Sequence, residues 1–129
     1  MESKTYIKNI RISAKKLRFL VDDIKKRKPS DALHFLNYTP KRGARIFYKA
    51  IKSAIANAKA KLKTGDDVLK FKLLTVEHGQ KLKRYRAGGR GTAKPFERYT
   101  AHIKIILIAD KPAEKPVEKV KKTKHGTKS

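Results

Sequence analysis

The densest group of side chains able to do chemistry lies between residues 78 and 99. Lys81, Lys83, Arg84, Arg86, Arg90, Lys94 and Arg98 supply charge there, and Tyr85, Phe96 and Tyr99 supply flat aromatic surface. A guanidinium can fork onto phosphate and also stack on a base, and aromatic rings stack on bases splayed out of a helix. This mixture suits irregular RNA. Gly88, Gly89 and Gly91 permit backbone conformations and close approaches that a Cβ would block. A loop whose glycines mean only flexibility does not account for seven cations with one acidic neighbour over residues 81–98. The segment is therefore expected to order on RNA.

A second set of cations has helical spacing. Arg42, Arg45, Lys49, Lys52, Lys59 and Lys63 form a stripe on a wheel of ~100° per residue, and at 1.5 Å per residue it runs ~30 Å. Residues 41–63 carry eight basic and no acidic side chains. Such a helix makes no internal i,i+4 ion pairs and suffers like-charge repulsion, so phosphate contact explains the stripe better than solvation does. Arg11, Lys15, Lys16 and Arg18, around the start of an earlier helix, complete the expected RNA-contacting set.

Catalytic and metal chemistry find little support. His34, His78, His102 and His125 lack metal-motif spacing, so structural or RNA-contacting roles are expected and no metal or cofactor is implied. Asp22-Asp23 and Asp66-Asp67 are adjacent pairs whose side chains diverge, which suits helix ends and local ion pairs better than acid/base work. Gly88-Gly89-Arg90-Gly91 is followed by neither a helix pattern nor Gly-Lys-Ser/Thr, so a nucleotide loop is not expected. An enzyme is not expected.

The elements that must position these residues follow from periodicity. Residues 4–10 read as a short strand. Ser13 is a candidate cap for a first helix with Ala14, Leu17, Leu20, Val21 and Ile24 on one face, ending before Pro29. Ser30 is expected to cap a short second helix carrying Ala32, Leu33, Phe35 and Leu36. Thr39-Pro40 is read as the start of a third, over about residues 40–63. Its apolar stripe is Ala44, Phe47, Tyr48, Ile51, Ala54, Ile55, Ala58 and Leu62. Ala54 and Ala58 would let the helix approach a sheet closely, with Ser53 and Asn57 off that stripe. Thr64-Gly65-Asp66-Asp67 reads as a helix stop and turn.

From Val68 the pattern is strand, with Leu69, Phe71 and Leu73 alternating with Lys70 and Lys72 and continuing through Val76. A second strand spans residues 98–108. Two strands flanking a basic, glycine-containing connector predict a long hairpin, the arm, at about residues 78–98. Legs of about nine residues at ~3.3 Å each would reach ~30 Å beyond the sheet. Residues 110–129, rich in Lys, Pro, Glu and Thr, read as a disordered basic tail. The expected organisation is a single RNA-binding domain over 1–109 followed by that tail, with no internal repeat.

The 129 residues carry 35 Lys+Arg against 11 Asp+Glu, a formal charge of +24. Self-repulsion on this scale points to a polyanionic partner. The absence of Cys excludes a disulfide framework and thiol chemistry. No apolar run approaches a membrane span and the N-terminus lacks a secretory pattern, so an intracellular domain without a membrane partner is expected. The charge falls in four stretches, which predicts cationic surfaces on several sides and burial within a folded RNA. A DNA-architectural protein with a β-arm is the nearest rival, but such arms often carry an apolar or proline wedge. Here the tip is Gly and Arg, with Pro95 off the turn. An RNA-modifying enzyme would need a pocket or cofactor motif, and a membrane-surface binder would need a basic helix with an aromatic-rich apolar face.

Three stretches resemble a known family. Ser13-Ala14-Lys15-Lys16-Leu17-Arg18-Phe19-Leu20-Val21-Asp22, then Ala32-Leu33 and Pro40-Lys41, are similar to its first helices. Ser53-Ala54-Ile55-Ala56-Asn57-Ala58 resembles its third-helix signature. Val76-Glu77-His78-Gly79 with Leu82-Lys83-Arg84, then Arg90-Gly91 and Thr100-Ala101-His102-Ile103, resembles its hairpin signature. The family is that of ribosomal protein twenty-two of the large subunit, and the similarity runs from about residue 4 to 109.

The resemblance implies an α+β fold: three helices packed on a small three-stranded antiparallel sheet, with a long protruding β-hairpin. It implies a structural, non-catalytic, monomeric constituent of the cytoplasmic large ribosomal subunit that binds and stabilises large-subunit ribosomal RNA. Neighbouring ribosomal proteins and the nascent peptide would be its other partners. The tunnel-lining tip would be Arg86, Ala87, Gly88, Gly89, Arg90, Gly91, Thr92 and Ala93, with Arg84, Arg86 and Arg90 foremost in contact. Gln80 and Ala87 stand where the family usually has proline, and Gly88 and Thr92 where basic residues are common. These departures predict an arm that is more flexible before assembly and carries less charge.

Overall fold

A computed structural model of the chain describes residues 2–63 and 65–109; the tail expected over 110–129 lies outside the described residues. The elements in chain order are β1 (Glu2–Ile10), α1 (Ala14–Lys25), α2 (Pro29–Tyr38), α3 (Arg42–Leu62), β2 (Leu69–Ala87) and β3 (Ala93–Ala109). They make the expected α+β fold, three helices and one antiparallel sheet of order β1-β3-β2.

The core lies between the helices and one face of the sheet. Leu17, Ile24, Leu36, Phe47 and Ile51 from the helices meet Leu69, Leu74, Ile103, Ile105 and Leu107 from the strands, all fully or almost fully buried. α3 lies against β1 and β3, α1 against β2, and α2 against α3. Ala54 and Ala58 are buried as the stripe predicts, and Ala50 joins them. Short side chains there bring α3 close enough for Asn57 Nδ2 to donate to Thr5 Oγ1 at 3.3 Å.

Several boundaries differ from expectation, each for a local reason. β1 begins at Glu2 because its ladder to β3 starts with Glu2↔Ile108. Ser13 occupies the cap position of α1, but its side chain makes no cap hydrogen bond. α2 starts at Pro29 with Lys28 as cap, so Ser30 lies inside the first turn. Proline's fixed φ and missing N–H suit the first helical position, and the residue that stops α1 thereby starts α2. Thr39 closes α2, its Oγ1 donating to the Phe35 carbonyl at 2.8 Å, and α3 starts at Arg42 with Lys41 as cap. α3 stops because Lys63 is left-handed (φ 51°), its N–H reaching the Lys59 carbonyl. Gly65 does not take that role.

In β2 the alternation breaks at a register shift between Phe71 and Leu73, after which Leu74 and Val76 are the buried positions. A bulge inserts one residue and so exchanges the faces beyond it. In β1 a shift between Ile7 and Ile10 accompanies left-handed Asn9 (φ 56°). The Asn9 N–H donates to His102 Nδ1 at 3.0 Å, which gives His102 a structural role. Ties also cross over the central strand β3: Lys72 pairs with Glu2, and the Tyr6 hydroxyl donates to Glu77 at 3.0 Å.

Candidate nucleic-acid interface

The arm is a direct extension of the sheet. β2 and β3 run without interruption from the core to the tip, paired from Lys81↔Tyr99 to Ala87↔Ala93. No residue from 81 to 99 is buried. At the root the register shifts between His78 and Lys81, and the Thr100 hydroxyl donates to the Gln80 carbonyl at 2.7 Å. A Cβ on Gly79 would sit 2.4 Å from Thr100 Oγ1 and 3.0 Å from its carbonyl carbon, so the bulge requires glycine.

Pairing sorts the arm into two faces, because partners opposite one another share a side and successive residues alternate. One face carries Leu82, Arg84 and Arg86 opposite Arg98, Phe96 and Lys94. It has four cations and no carboxylate. The guanidinium carbons of Arg86 and Arg98 lie 5.5 and 5.3 Å from the centre of the Phe96 ring, which props two forks over one apolar plate. The other face carries Lys81, Lys83 and Tyr85 opposite Tyr99, Glu97 and Pro95. There Lys81 Nζ pairs with Glu97 at 3.5 Å and lies 5.5 Å from the Tyr99 ring centre.

The tip proper is the turn Gly88–Thr92. Arg86 and Ala87 on one side and Ala93 on the other are still in the ladder. The Gly88 N–H donates to the Thr92 carbonyl at 2.8 Å, and the Thr92 N–H and hydroxyl both donate to the Gly89 carbonyl, at 3.3 and 2.5 Å. A Cβ on Gly88 would lie 2.7 Å from the Thr92 carbonyl oxygen, and Gly91 has φ +72°, so these two glycines are needed. Gly89 has open space around it. Arg90, exposed at the apex, is itself left-handed (φ 55°).

Of the expected cations outside the arm, Arg11, Lys15 and Lys16 before and within α1, and Arg42, Arg45, Lys49, Lys52 and Lys59 along α3, are exposed. Among the described residues no group of three His, Asp or Glu side chains could hold a metal ion. No helix of the structure is long and apolar enough to cross a membrane.

Residues 5–108 match the family model described as ribosomal protein L22p/L17e. The chain belongs to the L22 family. Three curated relatives, each named large ribosomal subunit protein uL22, agree. That of Syntrophus aciditrophicus is 40% identical over 107 residues, covering 83% of this chain and 97% of the relative. That of Opitutus terrae is 39% identical over 107 residues, covering 83% and 95%. That of Pelotomaculum thermopropionicum is 39% identical over 111 residues, covering 86% and 97%.

Within this L22-family chain, not every predicted cation is equally available. Arg18 spends its fork inside the molecule, Nε and Nη2 donating to the Val76 carbonyl at 3.3 and 3.2 Å, and so holds α1 on β2. Lys59 pairs with Asp66 at 2.7 Å, and Arg84 Nη1 donates to the Lys83 carbonyl at 2.7 Å.

The separation of charge read from the chain is also revised. Three of the four basic stretches converge at the root of the arm, where Arg11, Lys15 and Lys16 meet Lys41, Arg42 and Arg98 around a groove of about 890 Å³. Lys41 and Phe19 line it and were not among the expected contacts; His78, expected to be structural or RNA-contacting, lines it too. The signal for Phe19 was its place off the Ala14-Leu17-Leu20-Ile24 stripe, an aromatic ring on a polar helix face.

Proposed function

We propose that this L22-family protein binds large-subunit ribosomal RNA through the root and cationic face of its arm, stabilises the fold and assembly of that RNA, and lines the nascent-peptide exit tunnel with residues 86–93. Family membership makes it a structural, non-enzymatic constituent of the cytoplasmic large ribosomal subunit. The observation that carries the finer reading is the arm. Residues 81–99 bury no side chain against the body, yet they hold seven cations against one carboxylate in fixed register. A two-stranded ribbon is marginal on its own, and like charges on one face repel, so both costs are offset when phosphates surround it. Residues 1–109 act as one RNA-binding domain, with ribosomal RNA and adjoining ribosomal proteins as partners and the nascent chain passing the apex.

Sedimentation of a native lysate after a moderate salt wash tests the assignment. The protein is expected to stay with the large subunit, and crosslinkers placed at Arg86 and Arg90 should reach RNA and nascent peptide. Recovery as free protein or with DNA would overturn it. RNA affinity of the purified chain should fall steeply with salt, by a slope of about 0.9 per phosphate neutralised on a duplex; a shallow slope would contradict extensive contact.

A further inference from the structure

We infer that the groove at the arm's root is a pocket for a single unpaired RNA nucleotide, its base against Phe19 and Tyr99 and its phosphates on Arg11, Arg42 and Arg98. This rests on the RNA-binding reading above and goes beyond it by assigning the site and the kind of nucleotide. The groove exists because β1 stops pairing with β3 at Ile10↔Ala101, while β3 extends in the other direction through residues 93–100 of the arm. The chain leaves that edge at Arg11 to enter α1, and the first residues of α3 close the far side.

Its chemistry is divided. The rim is cationic, and its one carboxylate, Glu97, is paired with Lys81, so the positive charge calls for an external anion. α1 and α3 both begin at this rim, and neither start carries a side-chain cap. The interior is apolar. Ile12 and Leu20 form a buried floor, Phe19 is 69% exposed and Tyr99 48% exposed. A groove meant only to follow duplex phosphates has no use for an exposed phenylalanine. An unstacked base does, because base–aromatic stacking tolerates any sequence. The volume, about 890 Å³, falls in the ~300–1,000 Å³ range of sites that enclose a ligand of nucleotide size.

The test uses the full chain and two RNA hairpins of equal phosphate count, one fully paired and one with a single bulged 2-aminopurine. The bulged RNA is expected to bind about tenfold tighter, the effect of one stacked base, with a change in 2-aminopurine emission. Phe19→Ala, at an exposed position, should abolish that preference and the emission change, while affinity for the paired hairpin and its salt slope stay unchanged. Phe19→Tyr should retain both. Tyr99→Ala provides a second, independent loss. Equal binding of the two RNAs by the unaltered protein, or a preference that survives both alanine variants, would overturn the pocket while salt-sensitive binding left the RNA reading standing. Failure to bind either RNA would overturn both.

Discussion

Single residues decide where the arm bends and where it is stiff. Gly79 has no room for a methyl group because the Thr100 side chain and backbone occupy that space. Gly79→Ala must push the strands apart or break the Thr100 to Gln80 hydrogen bond, and overpacking of this kind costs ~1–3 kcal/mol. Denaturant unfolding would show it, and an unchanged midpoint would mean that the root can open freely. The glycines of the tip were legible in the sequence as a group. Which of them matters was not, since Gly88 is fixed by a cross-turn contact and Gly91 by its dihedral. Lys63 and Arg90 were invisible for a related reason: nothing in a lysine or arginine side chain announces a left-handed backbone, and only the chain on either side imposes it. Arg18 read as one more surface cation because its acceptor, the Val76 carbonyl, is 58 residues away.

Elements carry the next level of control. The helices were legible from periodicity, and α3 was clearest because its apolar stripe and its cationic stripe do not overlap. The errors lay at junctions, where one residue serves two neighbours: Pro29 both ends α1 and begins α2, and Thr39 ends α2 rather than beginning α3. Strand phase was hidden by the bulge after Phe71, because period-two reasoning cannot see an inserted residue. The outer strands β1 and β2 are held across β3 by the Glu2–Lys72 and Tyr6–Glu77 ties. The hydrogen bond from Lys72 holds the Glu2 carboxyl below its ordinary value of 4.5; desolvation opposes this, and the charges of Lys72 and Lys4 add to it. A depressed carboxyl stabilises the fold above its unfolded pKa and loses that contribution as pH falls through the folded value. Glu2→Gln should therefore be less stable than the parent near neutral pH, with the gap closing below about pH 4.5. A gap that widened in acid would contradict the tie.

At the scale of the whole molecule, body and arm are one sheet with two environments. Every buried residue of the core lies outside 81–99. Replacing residues 83–97 with an Asn-Gly turn between the paired Leu82 and Arg98 keeps a two-residue hairpin. Tm should move by no more than roughly 4 °C, while retention on large subunits after a salt wash should fall. A much larger drop would show that the arm supports the body. The convergence of three basic stretches at the arm's root was not legible in the chain, because it depends on where β1 leaves the sheet. That same topology has a consequence in time. β1 is the first strand made, yet its ladder partner begins at Glu2↔Ile108, about a hundred residues later in synthesis. At ~5–20 residues per second β1 waits on the order of ten seconds for that partner. The helices can form meanwhile from local contacts, but the sheet cannot close until β3 is available between its two neighbours.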